Sequence, residues 1–550
     1  MQKATERADE LEQAPGSAAP GEASSAGVDE SVGRSASMMS GLVILSRITG
    51  FFRSWGQAFA LGTTITASCY TIANNLPNQL YELVMGGMLA TSFLPVYVST
   101  KKRLGREGAN RYASNLVSIV VLLMGALALL SIIFAAQVIW TQSFSASEEF
   151  DTQLSIYFFR FFAIEIVLYA LSSLLSGLLN AERDYFWSTA APIFNNFVCT
   201  ASFFAYSALV GTRPQLALLC LAVGNPLGVA VQVVAQVPSL KKHGIKLSWR
   251  VDWHDPLLRE TLSIGAPTLI VTLETFVTSS VMNSSALSVT ANGASIAYYA
   301  RLWYILPYSV LSVPITTAMF TELSDSVAKG DMASYIQGIK DGIAKIAFML
   351  IPFMLYLIAF APELIAILGS GSFSAEDAAL TVSYLRYISL ALPFYGVYAY
   401  LQKACSSIRR MGLVAATSAV AGVVQVALCL ALTPVFGMPV VPLSSVAFFA
   451  IADALTLVVL RRELGELGLG TTAVSCLRSL ALGAAGTAVA QLILGALRGW
   501  LGAAGSALMG VLYCCAGGIP ALLVTFGIAA ALKLPEASII TSLLRRFIRR

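Results

Sequence analysis

The stretch LSRITGFFRSWGQAFALG (Leu45–Gly62) is apolar and long enough to cross a bilayer, yet it carries Arg47 and Arg53. Charge at bilayer depth costs roughly 2.5 kcal/mol or more even on lenient insertion scales, so such residues usually face a water-filled cavity and mark a substrate path. Working outward, similar apolar runs recur along the chain, each able to cross a hydrocarbon core about 30 Å thick. The sequence predicts about fourteen spans, at 40–62, 66–99, 112–140, 153–180, 187–211, 214–237, 257–289, 294–325, 336–369, 376–405, 410–435, 438–460, 474–499 and 505–533. This is an all-α polytopic membrane protein, and the intramembrane arginines point to an anionic cargo.

Composition agrees. Of 550 residues 57% are hydrophobic and 12% charged, and mean hydropathy is +0.74. A soluble domain is nearer half apolar and a quarter charged. The eight cysteines lie mostly inside apolar runs, with no CxxC pair and only two histidines, so they read as packing residues, without a metal site or disulfide framework. Residues 1–39 hold almost no large apolar side chain and read as a disordered tail.

Basic connections (Lys101–Arg111, Lys241–Arg250, Ile408–Arg410, Arg461–Gly468) alternate with the acidic Ser145–Asp151 and Ser372–Ala378 and the nearly neutral Thr290–Ser295 and Gly437–Val440. Basic loops stay in the cytoplasm, which puts both termini there. The last segment, Pro535–Arg550, reads either as an amphipathic helix on the anionic leaflet or as a solvated basic tail.

An internal repeat is visible. Asn75–Val96 resembles Ile305–Leu323, with Leu76-Pro77 opposite Leu306-Pro307, and Gly105–Tyr112 resembles Gly330–Tyr335. Arg160–Tyr169 aligns without gaps on Arg386–Tyr395, a separation of about 225–230 residues throughout. The expected organisation is a tail (1–39), a six-helix lobe (40–237), a cytoplasmic loop (238–256), a second six-helix lobe (257–460), two further helices (461–533) and a basic tail (534–550). Substrate sites of such transporters lie at the repeat interface, on helices interrupted by Pro or Gly.

Arginine suits a phosphate because its planar fork donates paired bonds and stays ionised. Arg47 and Arg53 lie about 120° apart on a regular helix, unless Gly50 opens it between them. Snorkelling is the alternative for Arg47. Arg301, beside Tyr298, Tyr299 and Trp303, either extends the cationic cavity or anchors at an interface. Glu274, Glu165, Glu82 and Asp453 are acids within spans; Glu274, with Thr272, Thr275 and Asn283 nearby, is the candidate for Na⁺ or H⁺ coupling. No Walker motif, nucleophile–base pair or paired-carboxylate site points to an enzyme.

Ser46–Ser54 (SRITGFFRS), the NNLPN segment (Asn74–Asn78) and Gly86–Val96 (GGMLATSFLPV) resemble the opening motifs of the MurJ/MviN family of lipid II flippases, within the wider group of multidrug, oligosaccharidyl-lipid and polysaccharide exporters. The resemblance implies alternating-access movement of a lipid-linked peptidoglycan precursor to the outer leaflet of the bacterial cytoplasmic membrane, and no cofactor. It implies a cationic cavity for the diphosphate, with Arg47, Arg53 and Arg301 as ligands, and a lipid-facing groove near spans 13 and 14 for the prenyl tail. Membrane lipids and cell-wall synthesis proteins are the partners it suggests. Departures from the family pattern are Ser54, Ser68, Tyr81, Gly86 and, for a sodium-binding acid in span 7, Asn283. They admit a divergent flippase driven by membrane potential or an exporter of another polyprenyl-linked saccharide; a non-transporting envelope-synthesis scaffold is the third reading.

Overall fold

The computed structural model describes residues 22–86, 93–258, 268–369 and 373–534, all of whose regular structure is helical. The tail before residue 22, most of the Gly86–Val96 motif and the segment after 534 lie outside the described residues. The first lobe comprises α1 (Glu22–Leu61), α2 (Ile65–Tyr81), α3 (Leu94–Ile133), α4 (Ala135–Ser143), α5 (Thr152–Phe162), α6 (Glu165–Ala181), α7 (Tyr185–Leu209) and α8 (Pro214–Lys242). The second comprises α9 (Thr268–Val289), α10 (Gly293–Pro307), α11 (Val313–Ala328), α12 (Met332–Ala359), α13 (Ala361–Gly369), α14 (Ala375–Ser389), α15 (Leu392–Ser407), α16 (Met411–Phe436) and α17 (Val440–Leu464). A final hairpin, α18 (Leu469–Leu501) and α19 (Ala507–Ala531), packs on α12 and α13.

Among the described residues nine helices or broken helices are long and apolar enough to cross a membrane. The rods outside that set, α1, α2, α7, α9 and the α14–α15 pair, carry more polar side chains. Residues 22–39, expected to be disordered, instead continue α1. Once a helix exists in the apolar segment, adding turns to its end needs no new nucleus.

The duplication shows in where helices break. A π-helical turn follows α2 at Glu82–Gly86 and another follows α10 at Tyr308–Ser312, 226 residues later. Phe134 separates α3 from α4 and Phe360 separates α12 from α13, again 226 apart. The α5–α6 break is matched by the α14–α15 break. Leu76-Pro77 and Leu306-Pro307, 230 apart in sequence, are therefore about one helical turn out of structural register. The loop match does hold in the backbone, because Gly105 (φ 68°) and Gly330 (φ 72°) both occupy the left-handed region that glycine adopts without strain.

Small residues decide the closest packing in the first lobe. A Cβ on Gly224 would come 2.2 Å from Cβ of Ser202, and one on Gly228 would come 2.4 Å from Oδ1 of Asn195. This Gly-xxx-Gly pair lets α8 lie directly on α7, as small residues do between membrane helices. It also carries Asn225, between the two glycines, into the lobe interior, where it is fully buried.

The two lobes meet at one end of the bundle, the end bearing the connections 145–151, 290–292 and 373–374. Tyr299 donates to the Gly62 carbonyl (3.0 Å), the Ser295 amide donates to Ser68 Oγ (3.1 Å), and Thr63 donates to Asp377 (3.1 Å). The Ser147 amide donates to the Leu287 carbonyl, and Ser145 pairs with Ser284. Gln79 adds a further bond between the lobes, donating to Ser279 Oγ at 3.1 Å.

Candidate cationic cavity

Helices α1 and α10 face each other across the lobe seam. Ser54 and Tyr298 hydroxyls are 3.1 Å apart, and the Phe51 and Trp303 rings meet edge to face at 5.4 Å. At 1.5 Å per residue, Arg53 on α1 and Arg301 on α10 both lie about 12 Å from the closed end, while Arg47 and Tyr308 lie about 21–22 Å from it. All three arginines thus lie on the two helices that flank the seam.

Their surroundings differ. Helix α1 runs unbroken through Gly50, so the alternative of an opening there does not apply and Arg47 and Arg53 point about 120° apart, as on a regular helix. Arg47 is exposed and within electrostatic reach of Tyr308 across the seam. Arg301 is exposed, near Tyr304, Tyr384 and Tyr395, and forms no ion pair among the described residues. Arg53 is half-buried and turned into the first lobe, where one N–H donates to Asn225 Oδ1 at 3.2 Å. Asn225 passes the contact on, donating to Glu165 Oε2 (3.1 Å) and to Asn74 Oδ1. Cys199 adds its thiol to the same Asn225 oxygen at 3.1 Å.

Glu165 is fully buried at the first residue of α6, directly after the break in that span. A buried carboxylate is tolerated when a cation and hydrogen bonds answer it, and Asn225 links it to Arg53. The gapless repeat alignment puts Ala391 where Glu165 stands, so this polar cluster belongs to one lobe only. Arg53 has five N–H donors; apart from the Asn225 contact, they have no protein acceptor among the described residues.

The expected coupling pair separates. Glu274 packs against Gly422 of α16, where an added Cβ would lie 3.0 Å from Oε1. Asn283 is nine residues on, which on a helix is the opposite face, and it donates to Gln142 Oε1 at 2.7 Å. Thr275 spends its hydroxyl on the Val271 carbonyl. These residues form no shared ion site, because the helical period sends them to different neighbours. Among the described residues no group of three His, Cys, Asp or Glu could hold a metal ion. Asn225 and Gln142 were not singled out by the sequence, and Asn74 only as part of the NNLPN motif; an amide inside an apolar span was the available signal.

Gln142, fully buried at the end of α4, is the hub of the closed end. It donates to Ser280 Oγ (2.7 Å) and Gln79 Oε1 (3.1 Å) and accepts from Asn283. A Gln142→Ala substitution removes both lobe-bridging bonds and leaves buried partners unpaired, at about 1–3 kcal/mol each. The expected outcome is a shift toward bundles open at this end. Spin-label distances between positions 147 and 288 in vesicles, lengthening in the variant, check it.

An apolar pocket of about 340 Å³ adjoins the seam, lined by Trp303, Leu306, Phe353, Phe360, Cys514 and Leu522 among others. It lies between α10, α12 and α19.

Comparison with known proteins bears on this arrangement. The model of the family described as lipid II flippase MurJ matches residues 57–512, a span that begins just after Arg53. A probable lipid II flippase MurJ of Borreliella burgdorferi is 23% identical over 370 residues, 66% of this chain and 70% of that protein. The lipid II flippase MurJ of Burkholderia cenocepacia is 26% identical over 370 residues, 65% of this chain and 69% of its own. Among solved structures, a lipid II flippase MurJ in an inward closed conformation superposes with TM-score 0.72 at 19% identity, covering 90% of this chain and 99% of that one. An inward-facing multidrug-resistance transporter of the MATE family superposes with TM-score 0.64 at 14% identity, covering 78% and 94%. These structural likenesses speak to the fold.

Proposed function

The chain belongs to the lipid II flippase MurJ family, and on that premise we propose that it carries lipid II across the bacterial inner membrane through the arginine-lined seam. The observation that carries the mechanism is a bundle closed at one end, with Arg47, Arg53 and Arg301 on the helices that flank the seam between its lobes. The basic connections Lys101–Arg111, Lys241–Arg250 and Arg461–Gly468 orient the end opposite this seal toward the cytoplasm. The closed end, held by Gln142 and its partners, then faces outward.

In this orientation the diphosphate of lipid II enters from the cytoplasmic leaflet. Arg47 and Arg301 are exposed to receive it, and Arg53 offers its remaining N–H donors while Asn225 fixes its orientation. Guanidinium–phosphate bonds are charge-assisted and paired, stronger than neutral hydrogen bonds. The adjoining apolar pocket accepts the first prenyl units, with the rest of the tail left in lipid. Breaking the outer seal and closing the inner end turns the headgroup outward.

Glu274 and Asn283, on opposite helix faces, supply no joint sodium site for this cycle. Charge movement provides an alternative drive. In an inside-negative membrane, moving one net negative charge outward is downhill by about 2.3 kcal/mol per 100 mV. Dissipating the potential with the pH gradient held constant is expected to slow export.

Rescue of a flippase-depleted bacterium tests the reading, with protease or toxin access to lipid II at the cell surface as readout. Restored access supports lipid II as cargo. No restoration at normal membrane abundance moves the assignment to another polyprenyl-linked saccharide.

A further inference from the structure

A second cavity, of about 550 Å³, opens between α12 and α18 near the basic-loop end, away from the arginine seam. Its walls carry three cations, Lys340, Lys345 and Arg478, against one acid, Asp341. None of the three cations is ion-paired among the described residues. Lys345 Nζ rests 3.8 Å from Met319 Sδ, and Asp341 accepts a bond from Gln337 at 2.9 Å.

The first turn of α18 forms one side of the cavity, through Gly470, Thr471 and Thr472. The Thr471 amide already donates to the Gly468 carbonyl (3.1 Å), but the first amides of a helix otherwise lack intrahelical acceptors and the dipole there favours an anion. Thr471 turns its hydroxyl to the Gly468 carbonyl (2.7 Å). Thr472 does not: it is 6% exposed and its buried hydroxyl has no partner. Lys340 lies across Gly468, where a Cβ would come 3.1 Å from its Cδ. A helix start, an unanswered hydroxyl and unpaired cations around one cavity are the donor set of a phosphate site.

We propose that this crevice binds a phosphate group, that of an anionic phospholipid. Val474 in the cavity wall, and Leu477 and Leu480 next along α18, are exposed apolar residues beside the cations, a surface suited to an acyl chain. Free phosphate shares the headgroup chemistry but would leave that apolar stripe unused.

Native mass spectrometry of the full-length protein in neutral detergent tests this, with dioctanoyl phosphatidylglycerol, dioctanoyl phosphatidylcholine and inorganic phosphate as probes. Wild type is expected to bind one phosphatidylglycerol in preference to phosphatidylcholine. Binding should weaken by about tenfold or more in Lys340→Gln/Arg478→Gln, since each basic contact at a membrane surface contributes about 1 kcal/mol. Thr472→Val should weaken it without changing net charge, which a purely diffuse charge effect would not do. Lys329→Gln, at an exposed lysine paired with Asp325, should bind as wild type. Competition by inorganic phosphate at equal concentration would support the phosphate site but reassign its source to soluble phosphate. Equal binding by wild type and the folded double variant, or equal uptake of phosphatidylcholine, would overturn the proposal.

Discussion

An Arg53→Ala variant is expected to lose lipid II export by ten- to a hundredfold at equal membrane abundance, because a hydrogen bond to a charged group is worth about 1.5–3 kcal/mol. The same substitution removes the cation that answers buried Glu165 through Asn225. Loss of export alone would therefore not separate cargo binding from lobe stability. The double variant Arg53→Ala/Glu165→Gln does. It removes the charge on both sides and leaves Asn225 with an amide neighbour, so thermal stability should return to near wild type. If Arg53 holds the diphosphate, export stays lost in the double variant. Recovery of export together with stability would reduce Arg53 to a counter-ion and shift the cargo contact to Arg47 and Arg301. Arg53→Lys keeps the charge but not the fork, and an intermediate rate is expected of it.

Arg498→Ala is expected to destabilise the protein by about 1–3 kcal/mol, because it strands the buried Glu363 carboxylate while the arginine itself is a third exposed to screening solvent. Arg498 on α18 sends Nε (2.8 Å) and Nη2 (2.5 Å) to a single oxygen of Glu363 on α13. Glu363 is 1% exposed, and its other oxygen has no partner. The second hairpin helix closes over the same place, since a Cβ on Gly510 of α19 would lie 2.7 Å from the Glu363 carbonyl oxygen. The pair therefore docks the final hairpin on the second lobe and fixes one wall of the apolar pocket. A thermal melt in detergent should drop clearly for Arg498→Ala and by much less for Glu363→Leu/Arg498→Met, which replaces both charges with apolar volume. Equal drops would mean that packing, not charge, holds the hairpin.

How much of this was legible in sequence depends on the distance over which each feature is encoded. Span number and the two-lobe plan follow from apolar run lengths and a repeat, both local properties. The repeat was visible at Arg160–Tyr169 and Arg386–Tyr395, but its register at α2 and α10 was not. The matching Leu-Pro pairs differ by one turn from the matching π turns, and apolar sequences tolerate such a slip. Arg47, Arg53 and Arg301 stood out because charge is rare in a span. Glu363 and Arg498 did not, each lying near the end of an apolar run where charge is ordinary.

By itself, the sequence determined that this chain is a polytopic α-helical membrane protein of two related halves, with arginines inside apolar runs and a family motif in its first spans. The cost of burying charge and unpaired backbone in hydrocarbon leaves few other readings of such runs. Only the tertiary structure decided which way each side chain points. It turned Arg53 toward Asn225 and Glu165, sent Glu274 and Asn283 to opposite faces, and gathered Gln142, Gln79, Ser280 and Asn283 into one seal. Those contacts join residues 60 to 172 positions apart; their partners are set by how the helices pack and rotate against one another, which no local pattern in the chain specifies.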